Sequence, residues 1–161
     1  LSVLLGGGMT SRLFEQVREK RGLAYSINAT SQGYSDCGIF YIDAGIAPEN
    51  TEETFKVVIE EIKKVKIDLS KEEIESSKEL IRGRMMMRYE DSRAIAMNYG
   101  IQHLLNNKIV SIEESLEMLK KVSLKDIIDA CEYIFNNSTV IASVAGSVDN
   151  IPDLTKNSQI F

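Results

Sequence analysis

The feature of this sequence that most constrains its fold is the stretch of residues 23–46, in which the residue types alternate with the two-residue period of a β-strand. A long series of helical patterns follows it. Alternate residues of the first half are expected to share a face, which gives one set of Leu23, Tyr25, Ile27 and Ala29 and an opposite set of Ala24, Ser26, Asn28 and Thr30. Residues 33–36 have the composition of a turn, and residues 38–46 are rich in β-branched and aromatic side chains. The stretch therefore predicts a β-hairpin.

Helical patterns flank this hairpin on both sides. Upstream, Thr10 or Ser11 can cap a helix that runs to about residue 21, and Gly22 can end it. The expected inner stripe of this helix consists of Leu13, Phe14 and Val17. Downstream, Pro48 suits the first position of a second helix, with Glu61 among the charged residues on its solvated side. The apolar residues of that helix are Phe55, Val58, Ile59, Ile62 and Val65.

Three further helix starts carry capping boxes. The pairs are Ser70 with Glu73, Ser111 with Glu114 and, more weakly, Ser123 with Asp126. The first should open a helical region that extends to about Leu105 and is broken or bent near residues 91–92. Residues 138–145 form a last, nearly continuous apolar segment, which predicts a strand buried on both faces or nearly so.

This order of elements predicts an α+β fold in which helices cover one face of a mostly antiparallel sheet. About three strands are few for so many helices, and Leu1 begins an apolar segment without a polar cap. We therefore expect residues 1–148 to form one domain that is incomplete at its N-terminal side, and residues 149–161 to form a polar tail.

The charge balance limits the classes of partner. The chain has 161 residues, with 19 Lys and Arg against 24 Asp and Glu and a net charge of −5, which argues against a general nucleic-acid or anionic-membrane binder. No apolar run of the sequence approaches the roughly 18 residues of a membrane span. The two cysteines, Cys37 and Cys131, lack CxxC spacing, so a reducing, cytoplasmic location is predicted rather than a disulfide framework.

The sequence does not contain a complete site for a catalytic metal or a nucleophile. His103 is the single histidine, and neither HExxH nor its inversion HxxEH occurs, whereas a catalytic zinc takes three protein ligands. We expect His103 to be a partly packed helix residue, and Cys37 and Cys131 to be ordinary buried or half-buried thiols.

Two other clusters have both a structural and a functional interpretation. The glycine run (Gly6, Gly7 and Gly8) leads into a helix N-terminus that can bind an anion, but a close approach of two backbones is the interpretation that composition favours. A basic cluster surrounds the methionines of residues 85–87 and consists of Arg82, Arg84, Arg88 and Arg93. We expect a solvated ridge over a methionine-filled core there, rather than a phosphate site.

The densest candidate site is the segment of residues 17–26, VREKRGLAYS. A helix ends in charged residues, turns at Gly22 and enters a strand, so Arg18 and Tyr25 can lie close together across the turn. A guanidinium and a phenol O–H are donors suited to a peptide carbonyl or a tetrahedral oxyanion. The structural alternative is an arginine at a favourable helix-dipole position and a tyrosine packed on the sheet.

Residues 6–14 (GGGMTSRLF) and residues 17–26 together closely resemble a stretch in the second domain of the pitrilysin/insulinase-like zinc metallopeptidases, most closely of the processing-peptidase branch. The spacing of the two blocks fits the family, as do Tyr34, Asp36 and Gly38 before the second strand. The likeness is strong over residues 6–46 and continues as helix order and a final Val-Ala-Gly strand, so it covers most of the chain.

The resemblance implies a clamshell of paired α/β domains that close on a peptide. In the family, the first domain carries an HxxEH zinc motif and a distal glutamate, and the second contributes an arginine and a tyrosine. Arg18 and Tyr25 have the family's separation of seven residues. The resemblance therefore gives them the roles of positioning the substrate and stabilising the transition state, and it places Gly6, Gly7 and Gly8 near the substrate.

Taken together, these observations predict the C-terminal, substrate-binding domain of a zinc metalloendopeptidase that hydrolyses peptides or presequence-like segments. Zinc would be bound by the family's N-terminal catalytic domain, in the same chain or in a separate subunit, and this chain alone would be inactive. Exposed sheet edges and apolar faces would favour self-association. Two alternatives stay open: a non-catalytic partner or scaffold subunit of a processing-peptidase-like complex, and a glycine-loop module that binds anions.

Overall fold

The computed structural model describes residues 1–136 and 140–146. Its elements, in chain order, are α1 (Ser2–Gly6), a π-helix (Phe14–Glu19), β1 (Ala24–Gly33), β2 (Gly38–Ile46), a 3-10 turn (Pro48–Asn50), α2 (Thr51–Asp68), α3 (Lys71–Arg88), α4 (Ser92–Asn106), α5 (Ile112–Lys121) and α6 (Leu124–Asn136). The fold is α+β, as the sequence predicts. None of the described helices combines the length and the apolar character needed to cross a membrane.

The predicted hairpin is confirmed, and its register turns one face of the two strands towards the helices. β1 and β2 pair antiparallel. Ile27 and Ala29 are buried, and Ile42, the partner of Ala29, packs against the same core. On the opposite face, the side-chain amide of Asn28 donates to the carboxylate of Asp43 over 3.1 Å, in a solvent-exposed position. The helices therefore cover one face of the hairpin.

The buried core lies between α1, the π-helix segment, β1 and α2, and it also takes in Ile74 of α3 and two residues of α6. Its buried apolar residues are Leu4, Leu5, Leu13, Val17, Leu23, Ala24, Ile27, Ala29, Val57, Ile59, Ile62, Val65, Ile74, Ile127 and Cys131. Two members of the predicted inner stripe, Leu13 and Val17, are completely buried. The ring of Phe40 meets that of Phe135 edge-to-face at 5.4 Å, which packs α6 against the hairpin.

Local capping fixes the helix starts where the sequence predicts them. The Ser70 hydroxyl accepts from the Glu73 amide at 3.1 Å, and the Glu73 carboxylate accepts from the Ser70 amide at 3.0 Å. The same side chain–backbone bonds occur between Ser111 and Glu114 and between Ser123 and Asp126. The predicted break lies at Asp91, whose side chain caps α4.

The structure contradicts the predicted burial of one segment and the predicted exposure of one helix side chain. Of the predicted strand at residues 138–145, residues 138–139 lie outside the described part of the chain, and residues 140–145 are exposed, with Ile141 85% exposed. A strand needs a hydrogen-bonded neighbour, and the sheet of the described residues consists of β1 and β2. Glu61 was expected in solvent but is buried, and its carboxylate accepts from the Lys64 ammonium at 2.6 Å, which compensates the buried charge. The predicted tail, residues 149–161, lies outside the described residues.

A single guanidinium, that of Arg12, joins three parts of the fold. Its Nε and Nη2 donate to the two carboxylate oxygens of Glu73 at 2.7 and 2.9 Å, and its Nη1 donates to Asp68 at 2.6 Å. Burial alone would raise the pKa of Glu73, but hydrogen bonds from Arg12 and Ser70 and the charge of Arg12 lower this pKa below its ordinary value. The segment before the π-helix is thereby fixed to the end of α2 and the start of α3.

Gly6 allows α1 to approach β1 more closely than a side chain would permit. A Cβ at this position would lie 2.4 Å from the amide nitrogen of Ala29 and 2.9 Å from the carbonyl carbon of Asn28. Both contacts are with backbone that is held in the hairpin. The close approach of two backbones, predicted from the glycine run, is therefore confirmed at Gly6.

We predict that Arg12→Met lowers the free energy of unfolding by about 2 kcal/mol near neutral pH, because charged, partly buried hydrogen bonds are lost. The pKa of Glu73 is lower in the folded state than in the unfolded state, where it is about 4.3. The ionised carboxylate therefore stabilises the fold at pH values above the unfolded-state pKa, and this stabilisation is lost as the pH falls through the folded-state pKa. Chemical denaturation from neutral pH downwards should show a steeper acid loss of stability in the native protein than in the variant.

The matched control is Arg82→Met, since Arg82 forms an exposed ion pair with Glu79 at 2.9 Å. Exposed pairs of this kind contribute little to stability. An equal loss of stability in the Arg12 and Arg82 variants would show that the Arg12 network is no more important than a surface pair.

We also predict that Gly6→Ala lowers the free energy of unfolding by about 1–3 kcal/mol, because the added methyl group overlaps backbone in the core. Gly100→Ala, in α4, is the control: none of the described atoms would lie within 4 Å of the new Cβ. It should raise stability by about 0.5–1 kcal/mol, because alanine favours the helix more than glycine does. Thermal or urea unfolding measures both changes, and a neutral Gly6→Ala would refute the packing argument.

Candidate functional site

Three departures from regular backbone geometry lie within residues 14–25, and they shape the predicted site. The first is the π-helix, in which the Lys20 amide donates to the Glu15 carbonyl five residues back, at 2.9 Å. Turns of this type occur frequently at functional sites. The second is Gly22, whose φ of +62° is left-handed and whose amide donates to the Arg18 carbonyl at 3.0 Å. Gly22 thus ends the helix as predicted.

The third departure is a β-bulge at Tyr25. Ala24 pairs with Ile46 and Ser26 pairs with Gly45, so Tyr25 is the extra residue between two consecutive pairs. A bulge redirects the side chain it carries, and Tyr25 is 84% exposed. The prediction that Tyr25 shares a face with the buried residues of β1 is therefore wrong, because strict alternation requires an uninterrupted pairing register.

The structure brings Arg18 and Tyr25 together, and we call them the donor pair. The guanidinium carbon of Arg18 lies 5.9 Å from the centroid of the Tyr25 ring and 4.7 Å from that of Phe14. Arg18 is exposed, and in the described part of the chain no carboxylate lies within ion-pair distance of it. Neighbouring Lys20, in contrast, pairs with Glu15 at 3.0 Å. The N–H groups of Arg18 remain available to a ligand.

The donor pair suits an oxygen atom that carries or gains negative charge. A guanidinium offers five N–H donors in one plane and remains protonated at any physiological pH, and a phenol adds one O–H donor. Two such groups side by side can bind a carboxylate, a phosphate or the carbonyl oxygen of a peptide under attack. The chemistry of the two donors therefore suits an oxygen atom as their ligand.

Phe14 belongs to this site, although the sequence pattern does not predict it there. That pattern places Phe14 in the inner stripe of the helix, but the side chain is only half-buried, and the Arg18 guanidinium lies over its ring. Residues four positions apart share a face of a helix. The spacing of an aromatic residue and an arginine was therefore the signal from which this contact could have been predicted.

The glycine run lies at the junction of α1 and α3. The Gly8 carbonyl accepts from the Ser11 hydroxyl at 2.6 Å, and the Gly7 carbonyl accepts from the Arg84 guanidinium. A neighbouring cleft of about 210 Å³ is lined by residues of α1 and α3 and by residues 10–11, without either member of the donor pair. Residues 6–8 do not line this cleft either, so substrate binding by Gly6, Gly7 and Gly8 stays a prediction.

The remaining candidates have no arrangement that indicates chemistry. Cys131 is completely buried, as predicted, and this burial raises the pKa of its thiol. Cys37 and His103 were expected to be at least partly buried, yet both are exposed, because the hairpin turn and α4 project from the core. Across the described residues, no three His, Cys, Asp or Glu side chains lie close enough to hold a metal ion.

The basic cluster, which the structure places on α3 and, for Arg93, at the start of α4, differs from the prediction in one respect. Met86 and Met87 are 50% and 66% exposed, so they do not fill a core. The reason is the position of α3, whose described side chains include one buried residue, Ile74. Arg82 pairs with Glu79, as expected of a solvated ridge.

Comparisons with known proteins agree on one family. The sequence profile described as "Peptidase M16 inactive domain" matches residues 1–81. An uncharacterized zinc protease of Rickettsia bellii is 33% identical over 144 residues, which cover 89% of this chain and 35% of that protein. The uncharacterized zinc protease YmxG of Bacillus subtilis is 30% identical over 153 residues, which cover 94% of this chain and 37% of that protein. The chain thus spans about a third of the length of these relatives.

Solved structures show the same fold. The crystal structure of a peptidase M16 inactive domain from Pseudomonas fluorescens superposes with a TM-score of 0.72 at 24% identity, over 83% of this chain and 32% of that chain. A chain of Complex III2 from Candida albicans superposes with a TM-score of 0.74 at 18% identity, over 82% of this chain and 34% of that chain. With the profile match over 81 of 161 residues, the chain belongs to the peptidase M16 inactive-domain family.

Proposed function

We propose that this M16 domain forms the substrate-facing part of a zinc metalloendopeptidase and that its donor pair contacts the peptide bond being cleaved. The observation that carries the proposal is the exposed, adjacent position of Arg18 and Tyr25, produced by a π-helix and a β-bulge. The naming of the curated relatives as zinc proteases supports the reaction class. The domain itself is of the family's inactive type.

The donor pair acts where charge develops. When the carbonyl carbon of a peptide is attacked, its oxygen gains negative charge as the carbon becomes tetrahedral. The N–H groups of Arg18 and the O–H of Tyr25 donate to that oxygen or to the adjacent carbonyl, and they stabilise the transition state more than the ground state. Because both side chains are exposed, the effect becomes large only when a second wall excludes water from the site.

Zinc does not fit the described residues of this chain, so no step of the reaction is assigned to a metal here. In the proposal, the ion is bound by the family's catalytic domain, in the same chain or in a separate subunit. Closure of the two domains on a peptide then brings the donor pair to the bond that is cleaved.

The proposed substrate is an extended, presequence-like peptide, as in the processing-peptidase branch. Presequences are rich in arginine and poor in acidic residues. The net charge of −5 of this chain would attract such basic peptides. The strands of the hairpin can add main-chain pairing to an extended peptide, which tolerates varied side chains. Self-association of the isolated chain through its exposed apolar side chains belongs to the same proposal.

We predict that Arg18→Ala and Tyr25→Phe each lower kcat of the whole protein by about 10²-fold, the loss typical of a missing oxyanion donor. Steady-state hydrolysis of a fluorogenic, arginine-containing peptide measures the effect. Both side chains are exposed, so both variants should fold as the native protein does.

Matched controls are Arg21→Ala and Tyr34→Phe, which remove an arginine and a phenol from exposed positions outside the donor pair. Arg21 donates to the Gln16 carbonyl at 2.8 Å and has no place in the donor pair. These control variants should change kcat by no more than about twofold, which is much less than the loss of about 10²-fold expected when a donor is removed. Unchanged kcat in the Arg18 and Tyr25 variants would favour the alternative, a non-catalytic partner or scaffold subunit.

We further predict that the purified 161-residue chain does not hydrolyse peptides when zinc is added, because its described residues lack a metal-ligand group. The assay uses the same peptide with and without a chelator. Cleavage that zinc restores and a chelator abolishes would contradict this prediction and would require metal ligands within the chain.

A further inference from the structure

We propose that Phe14 is a positioning residue for Arg18, holding the guanidinium over its ring while leaving the N–H donors free. The inference rests on the proposed function, since it explains how Arg18 is prepared for a substrate. Phe14 itself touches no reacting atom in this proposal, and it acts through Arg18.

The contact has the geometry of a cation–π interaction. The guanidinium carbon lies 4.7 Å from the centroid of the Phe14 ring, within the range of about 6 Å over which such interactions are effective. The Tyr25 ring is farther away, at 5.9 Å. Phe14 is half-buried, whereas Arg18 is exposed. The ring is therefore held by the packing of its helix, and it can hold the more mobile arginine.

The way in which Arg18 is held differs from that of Arg12 and Arg82, which are paired with carboxylates. The N–H groups of Arg12 are engaged by two carboxylates, and Arg82 is paired with Glu79. A carboxylate would neutralise the charge of the guanidinium and use its donors. A ring face instead attracts the charge of the guanidinium without offering a carboxylate oxygen to its donors, so the N–H groups stay available to a ligand.

This arrangement reduces a cost of binding. A free arginine side chain has many rotamers, and ordering them opposes the binding of substrate. Stacking on Phe14 restricts these rotamers before substrate arrives, and the four-residue spacing of Phe14 and Arg18 places both on one helix face. Phe14 therefore contributes by preorganisation rather than by a direct contact.

The first test observes the contact without any assay of activity. In the whole protein with ¹⁵N-labelled arginine, the Nε–Hε signal of Arg18 should be shifted by the ring current of Phe14. Phe14→Leu, which keeps an apolar side chain of similar size, should move this signal towards that of the other exposed arginines. Phe14→Tyr, which keeps the ring, should not. A signal that is unchanged in Phe14→Leu, in a protein with native unfolding temperature, would overturn the proposal.

The second test measures coupling in catalysis. Phe14→Leu should lower kcat/KM about two- to fivefold, the effect of an exposed cation–π contact, and Phe14→Tyr should restore it. In the Arg18→Ala background, Phe14→Leu should have no further effect, because the residue through which it acts is absent. An equal loss in both backgrounds would show a general structural role and overturn the proposal.

The two tests separate this inference from the proposed function. If Arg18→Ala and Tyr25→Phe leave kcat unchanged while the ring-current shift is present and depends on Phe14, the proposed catalytic role fails and the positioning of Arg18 stands. If these variants lose activity but Phe14→Leu changes neither the Arg18 signal nor kcat/KM, the catalytic role stands and the inference about Phe14 fails.

Discussion

The position of the whole site depends on the guanidinium of Arg12. It binds Glu73 and Asp68, which are 61 and 56 residues away in sequence, and its two-point contact with Glu73 leaves little freedom of orientation. Arg12 lies just before the π-helix, so this contact sets the direction in which the helix leaves the layer of α2 and α3. Glu73 also closes the capping box of α3. One carboxylate therefore links the start of a long helix to the segment that carries the donor pair.

The donor pair requires an irregular backbone, which the surrounding packing must stabilise. A π-helix and a bulge each depart from regular hydrogen bonding, and such departures persist where neighbouring contacts determine the structure, whereas Gly22 adopts its left-handed turn without strain. Here those contacts are the completely buried Leu13 and Val17 on the inner side of the helix and the Arg12 network at its start. The rigid inner side allows the outer side to present Arg18 and Tyr25 to solvent.

Local signals in the sequence predicted most of the secondary structure, and contacts between distant residues account for what was missed. Ser70 and Glu73 identify a helix start because the capping bonds join residues three apart. The Arg12 network joins residues more than fifty positions apart, so no local pattern encodes it. Tyr25 was assigned to the wrong face because a bulge depends on the register of the partner strand. The proximity of Arg18 and Tyr25 was predictable, because both flank one glycine turn.

The shared fold does not by itself assign the function, since chains as different as a peptidase M16 inactive domain and a part of Complex III2 superpose equally well. The donor pair is the feature that supports the proposed ligand-binding role. Arg18 forms no ion pair with a carboxylate of the described residues, and the bulge exposes Tyr25. Because neither side chain is buried, both contribute little to the stability of the fold. In the proposed function, this geometry serves an acceptor that both side chains bind, and the carbonyl of a peptide fits the donors that they offer.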